Sequence, residues 1–155
     1  MPRWPPPEYR FECEFDAPRA FVFRWCTDYR PDDGRLAGER YDRRVLRRSR
    51  SEVVFEDLWW EQDGWRWRHN RVRLYPATRW HAESTANFRT ASIDYRLVDL
   101  PGGRTRLVFR MRRRPTELYP EQPTAGAMRR ELTQMWTRYG RQLARDYRAY
   151  RRRGR

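Results

Sequence analysis

The chain has 155 residues, a formal net charge of +14 and an aromatic content of 15%. At this length one domain with a substantial core is expected. No run approaches the ~18 apolar residues of a membrane span, which excludes a transmembrane helix.

Residues 1–7, Met-Pro-Arg-Trp-Pro-Pro-Pro, read as a stiff extended arm and lack the apolar stretch of a secretory signal. Tyr9, Phe11, Cys13 and Phe15 then alternate with Arg10, Glu12 and Glu14, the period of a half-buried strand. At Asp16 the period changes. Asp16 suits a helix N-cap, Pro18 suits the first turn, and Val22, Trp25, Cys26 and Tyr29 recur at helical spacing. Pro31-Asp32-Asp33-Gly34 breaks that helix, and residues 35–38 allow at most a short second one. Cys13 and Cys26 fall on the apolar faces of the strand and the helix. Their spacing is that of neither a metal pair nor a disulfide framework, so two buried thiols and a cytoplasmic location are expected.

Six further strands are predicted at about 40–48, 52–61, 65–75, 78–86, 91–99 and 104–113, separated by turn signals such as Asp63-Gly64, Tyr75-Pro76 and Pro101-Gly102-Gly103. Short links between consecutive strands argue for an antiparallel meander. A three-residue loop at Pro101-Gly102-Gly103 places Leu97 opposite Leu107, Tyr95 opposite Phe109, Ile93 opposite Met111 and Asp94 opposite Arg110. The 52–75 hairpin has two candidate registers. A two-residue Asp63-Gly64 turn pairs Phe55 with Val72 and Glu56 with Arg71; it is favoured by its turn signal and charge pairing. A three-residue loop would instead pair Trp59 with Trp67 and Asp57 with His69.

Residues 122–151 form one long predicted helix, whose inward stripe is Met128, Leu132, Met135, Tyr139, Leu143 and Tyr147. Its outer side repeats arginine at 138, 141, 145, 148 and 152. All 35 basic residues are arginine. That all-or-none choice fits a coding bias better than selection for phosphate contacts. The strand arginines are scattered over many elements, the pattern of a solvated surface.

The passage Phe11–Asp28 with its Asp16-Ala17-Pro18, the hairpin from Leu100 to Leu107 and the terminal helix together resemble the START-like, or SRPBCC, superfamily of helix-grip proteins. Polyketide cyclases, aromatic-ring hydratases, lipid-transfer proteins and plant hormone receptors belong to it. The resemblance covers nearly the whole chain from Glu8 to about Tyr150 and rests on element order more than on any one motif. It implies an α+β fold in which a curved seven-stranded antiparallel sheet wraps the long C-terminal helix, with one or two short helices after the first strand. Residues 8–151 would form that single domain, and 152–155 a basic tail. The resemblance also implies a deep apolar cavity for a hydrophobic, aromatic or lipid-like small molecule, in some members with chemistry done on it.

If the chain is an enzyme, the resemblance implies chemistry of the cyclase or dehydratase type, with no metal or other cofactor. The catalytic candidates are His69, Asp57 and Tyr139; Trp59, Trp67, Tyr95, Phe109, Met135 and Tyr139 are the ligand-binding candidates. The plainer reading of His69 is a strand histidine packed beside Trp67, and His81 beside Trp80 has a similar claim. Asp57 matters only if it points inward. No Gly-rich phosphate loop, nucleophile elbow or Cys/His metal cluster is present. A monomer or homodimer fits such a protein. The rival is an arginine-rich module for nucleic acid or another polyanion, motivated by net charge, the helix ladder and the tail Arg151-Arg152-Arg153-Gly154-Arg155.

Overall fold

The computed structural model describes residues 7–36 and 38–154; the proline-rich arm up to Pro6 and Arg155 of the basic tail lie outside them. The elements run β1 (Glu8–Phe15), α1 (Arg19–Cys26), α2 (Asp33–Leu36), β2 (Asp42–Arg48), β3 (Glu52–Glu61), β4 (Gly64–Tyr75), β5 (Arg79–Ala86), β6 (Arg89–Leu100), β7 (Arg104–Pro115) and α3 (Ala125–Arg153). Among the described residues the strands make one antiparallel sheet of seven, ordered β1-β7-β6-β5-β4-β3-β2. The sheet curves around α3, as the helix-grip expectation requires.

Local chemistry explains most boundaries. The β6–β7 pairing follows the Pro101-Gly102-Gly103 loop as expected, with Leu97 opposite Leu107, Tyr95 opposite Phe109 and Asp94 opposite Arg110. Gly102 and Gly103 both take φ values near +70 to +79°, which suit glycine. The N-cap expectation for Asp16 is corrected. Pro18 is the N-cap of α1, and its carbonyl accepts from the Phe21 and Val22 amides. The Asp16 carboxylate accepts instead from Arg104 Nε at 3.1 Å. α3 is capped by Thr124, whose hydroxyl accepts from the Ala127 amide at 3.1 Å.

Neither expected register of the 52–75 hairpin holds. The turn is Gln62-Asp63, so Glu61 pairs with Gly64, Val53 with Val72, Phe55 with Asn70 and Asp57 with Arg68. The favoured pairing was out by two residues, which preserves the faces of both strands. Two interactions select the observed register: the Asp63 carboxylate is gripped by Arg66 Nη2 at 2.8 and 2.9 Å, and Asp57 meets an arginine across the ladder.

The concave face is packed unevenly. At one end Trp80 stacks on Tyr95 with centroids 4.7 Å apart, Tyr95 meets Phe109 edge-on, and Phe23 of α1 closes on Trp80. Leu97, Leu107, Phe15 and Val22 complete this solid part of the core. Towards the other end the side chains shorten to Ala82, Ser84, Ala86 and Ala91, all buried. α3 crosses both parts with Met128, Leu132, Trp136 and Leu143 buried. Trp25 Nε1 of α1 donates to Asp146 at 2.8 Å, tying the two helices. The segment between β7 and α3 is pinned by Thr116 to the Asn87 carbonyl and by Tyr119, which accepts from Arg66.

Many sheet arginines lie on the convex face and pair with carboxylates there. Glu8 meets Arg10, Arg110 and Arg112, and these hydrogen bonds, Arg10's foremost, hold its carboxyl down to about 2. His81 is bonded to Asp94 at 2.7 Å and to Glu83 at 2.5 Å on the same face. Partial burial works against its charge, but the two carboxylates outweigh it and raise its pKa above the ordinary histidine value. A raised folded pKa means stabilisation that is complete below the ordinary value of about 6.5 and fades as pH rises through the folded value. His81→Asn is therefore expected to lower Tm most at pH 6. Thermal unfolding should show the gap from the parent narrowing steadily towards pH 9; a gap that widens with pH would contradict this pairing.

Candidate functional site

Between the hollow end of the sheet, α1 and the N-terminal half of α3 lies a cavity of about 550 Å³. Its walls are mostly large rings and long apolar chains: Trp59, Tyr95 and Phe109 from the sheet, and Met135, Trp136 and Tyr139 from α3. The hollow follows from the sheet rows. Asn70, Ser84, Ala91 and Arg113 are successive cross-strand partners, and in the next row Arg68 pairs with Ala86 and Arg89 with Pro115. Each row brings short residues where a solid core would carry Leu or Phe.

Five of the six expected ligand contacts, Trp59, Tyr95, Phe109, Met135 and Tyr139, line this cavity. Trp67 does not. β4 turns Arg66, Arg68, Asn70 and Val72 inward, so Trp67 and His69 point out of the convex face, 43% exposed in the case of Trp67. His69 sits 3.3 Å from Glu56 there, remote from the cavity as a matter of strand alternation. His81 is on the same outer face. Among the described residues no group of three or more His, Cys, Asp or Glu side chains is placed to hold a metal ion.

Asp57 does point inward, but behind the cavity wall, with no exposed side-chain surface. Its carboxylate takes two hydrogen bonds from Arg43, Nε at 2.8 Å and Nη2 at 3.1 Å, and one from Arg68 Nε at 2.7 Å. Arg43 also donates to Asp33 of α2 at 2.8 Å and to the Tyr41 hydroxyl at 3.2 Å. Its guanidinium lies 4.3 Å from the Phe55 ring centroid. Gly34 lets α2 come this close: a Cβ there would stand 3.0 Å from the Glu39 carbonyl and from the Tyr41 ring. Arg68 covers Trp59 and Tyr41 at 5.1 and 5.2 Å.

Burial pushes the Tyr95 and Tyr41 phenols up to about 12 and that of Tyr139 higher still. All three are hydrogen-bond donors at neutral pH. The Cys13 thiol is likewise pushed to about 12 and that of Cys26 further, so neither is a ready nucleophile. Sequence reasoning took the scattered arginines as solvated surface and so missed Arg43, Arg68, Arg89 and Arg113 as cavity residues. A signal existed for Arg68: it shares strand parity with Val72 and Leu74. Trp136 was also missed, although it falls four after Leu132 and seven before Leu143.

No family model matches the chain, and no curated protein matches its sequence. Solved structures do match in fold. The ZhuI aromatase/cyclase from Streptomyces sp. R1128 superposes with a TM-score of 0.65 at 15% identity, over 90% of this chain and 92% of that one. A START superfamily protein from Mycobacterium smegmatis gives 0.70 at 12%, over 89% and 97%. The di-domain aromatase/cyclase StfQ of the steffimycin pathway gives 0.66 at 17%; 90% of this chain covers 45% of it. At these identities the likeness is one of fold, and the chain has the START-like helix-grip fold.

Asp57→Asn leaves two guanidinium groups facing a neutral amide, one of them almost fully buried. It should cost about 3–5 kcal/mol of unfolding free energy, as breaking a buried pair does. His69→Ala, which removes only an exposed pair, should stay within about 0.5 kcal/mol. Urea unfolding of both variants measures the contrast, and equal losses would contradict the placement of these residues.

Proposed function

We propose that the protein binds a hydrophobic, aromatic or lipid-like small molecule in the cavity between the sheet and α3. The observation that carries this reading is the cavity itself. Its volume of about 550 Å³ falls within the roughly 300–1,000 Å³ usual for ligand pockets, and its walls combine large rings with charged and polar side chains, Arg68, Asn70, Arg89 and Arg113 among them. The aromatase/cyclases among the fold neighbours support the same class of ligand.

Cyclase- or dehydratase-type chemistry would draw on the polar groups around this cavity. Tyr139 fits the role of a hydrogen-bond donor, because its phenol stays protonated. Asp57 is committed to two arginines and suits a positioning role for Arg68 better than that of a base. His69 has no such role from the convex face. The two free thiols accord with a reducing, cytoplasmic setting.

The polyanion reading keeps one observation in its favour, the exposed arginines of α3 at 141, 145, 148 and 152. It predicts oligonucleotide affinity that falls steeply with salt, with a shallower log–log slope in an Arg141, Arg145 and Arg148 to Gln variant. Absence of a salt response dismisses it.

The small-molecule reading is tested with Nile red, a neutral apolar dye. Saturable one-to-one binding with blue-shifted emission is expected. Ala82→Phe and Met135→Trp, each adding bulk to a different wall, should weaken it at least tenfold while far-UV circular dichroism stays unchanged. No saturable binding by the parent protein, or full binding by both folded variants, would overturn the reading.

A further inference from the structure

The cavity's polar groups are unequal in kind. Asn70 Nδ2, Arg113 Nε and Trp136 Nε1 are buried and have no hydrogen-bond partner among the described residues. All three are donors, and all three residues line the cavity. Arg89, which also lines it, makes one hydrogen bond among those residues, from Nη1 to Ser84 Oγ at 3.2 Å. Arg43 and Arg68 are matched by Asp57 and Asp33. Among the described residues Arg89 and Arg113 form no ion pair; Glu131 of α3, which also lines the cavity, acts on both only through space.

The sheet explains why these groups converge. Arg113 pairs with Ala91, two residues along β6 from Arg89, and both side chains share the concave face. Asn70 reaches the same row through Ser84 and Ala91. α3 sets Trp136 on the opposite wall, with its ring against Phe15, Tyr95 and Tyr139. Resting on the small-molecule reading above, we propose that the ligand is a carboxylate. Its apolar body lies among Trp59, Tyr95, Met135 and Tyr139, and its anionic oxygens sit on Arg89 and Arg113, with Asn70 and Trp136 donating further hydrogen bonds. Planar guanidinium forks match carboxylate geometry, and a monoanion relieves two like charges held together in a largely apolar setting. That setting is costly in the free protein. Burial first, then the Arg68 and Arg113 charges, lower the Arg89 pKa to about 9. Such a cost is characteristic of a binding site kept at the expense of stability.

The test compares 2-naphthoate with its neutral near-isostere 2-naphthamide by isothermal titration calorimetry. Naphthoate is expected to bind at least tenfold tighter. Arg89→Met and Arg113→Met should each bring naphthoate to the naphthamide level without changing naphthamide affinity. Arg110→Gln, on the convex face, should leave both unchanged. The free Arg89→Met protein should show a Tm above that of the parent, the reverse of what loss of a structural arginine does. Equal affinities for the two probes would overturn the carboxylate assignment and leave the small-molecule reading standing. An equal loss in Arg110→Gln would also overturn it, by assigning the effect to general charge. A lower Tm in Arg89→Met would do the same. Binding of neither probe would overturn the carboxylate assignment, and the small-molecule reading falls with it where Nile red also fails to bind.

Discussion

The Asp57 carboxylate is the constraint on which this architecture turns. It sits on β3 with no solvent contact and binds Arg43 of β2 and Arg68 of β4, so three consecutive strands meet at one anion. Arg43 then extends the bond to Asp33, which brings the short α2 over the sheet edge. Buried charges cost free energy unless every donor and acceptor is matched, and here the carboxylate takes three hydrogen bonds with good geometry. The network therefore acts less as a source of stability than as a register lock. A one-residue slip of β3 against β4 would turn every side chain of one strand to the opposite face.

A lock of this kind is needed because the neighbouring sheet cannot supply one. Rows through Ala82, Ser84, Ala86 and Ala91 offer little apolar area for α3 to pack against. The aromatic end, with Trp80 stacked on Tyr95 and Phe23 closing over it, carries the conventional core. The fold divides its labour along the strands: one end packs, the other is held open. Large rings suit both duties, since Tyr95 and Trp136 contribute edges to the core and surface to the cavity.

The same division sorts the arginines. On the convex face they face Glu8, Glu14 and Glu52 in exposed pairs that are individually worth little. On the concave face they are few and largely shielded from water: Arg43, Arg66 and Arg68 are matched by Asp33, Asp57 and Asp63, whereas Arg89 and Arg113 form no ion pair among the described residues. A net charge of +14 is therefore a poor guide to function. What matters chemically is where a small number of guanidinium groups are withdrawn from water.

Element order and most strand faces were legible in the sequence, because periods of 2 and 3.6 follow from backbone geometry alone. The Pro101-Gly102-Gly103 loop even determined a register, since its length and its two left-handed glycines admit few alternatives. The helix-grip arrangement was legible too, through the order of its parts and the Met128–Tyr147 stripe. The tertiary structure decided the rest. It moved the β3–β4 turn to Gln62-Asp63 and thereby set Asp57 against Arg68, and it sent His69 and Trp67 outward. It also gathered Arg89 and Arg113 beside Asn70 on the concave face. A period-2 pattern marks polar residues as outward by default, and it cannot distinguish solvent from a polar-lined cavity. That distinction depends on what the opposite wall brings within reach, and the opposite wall lies tens of residues away in the chain.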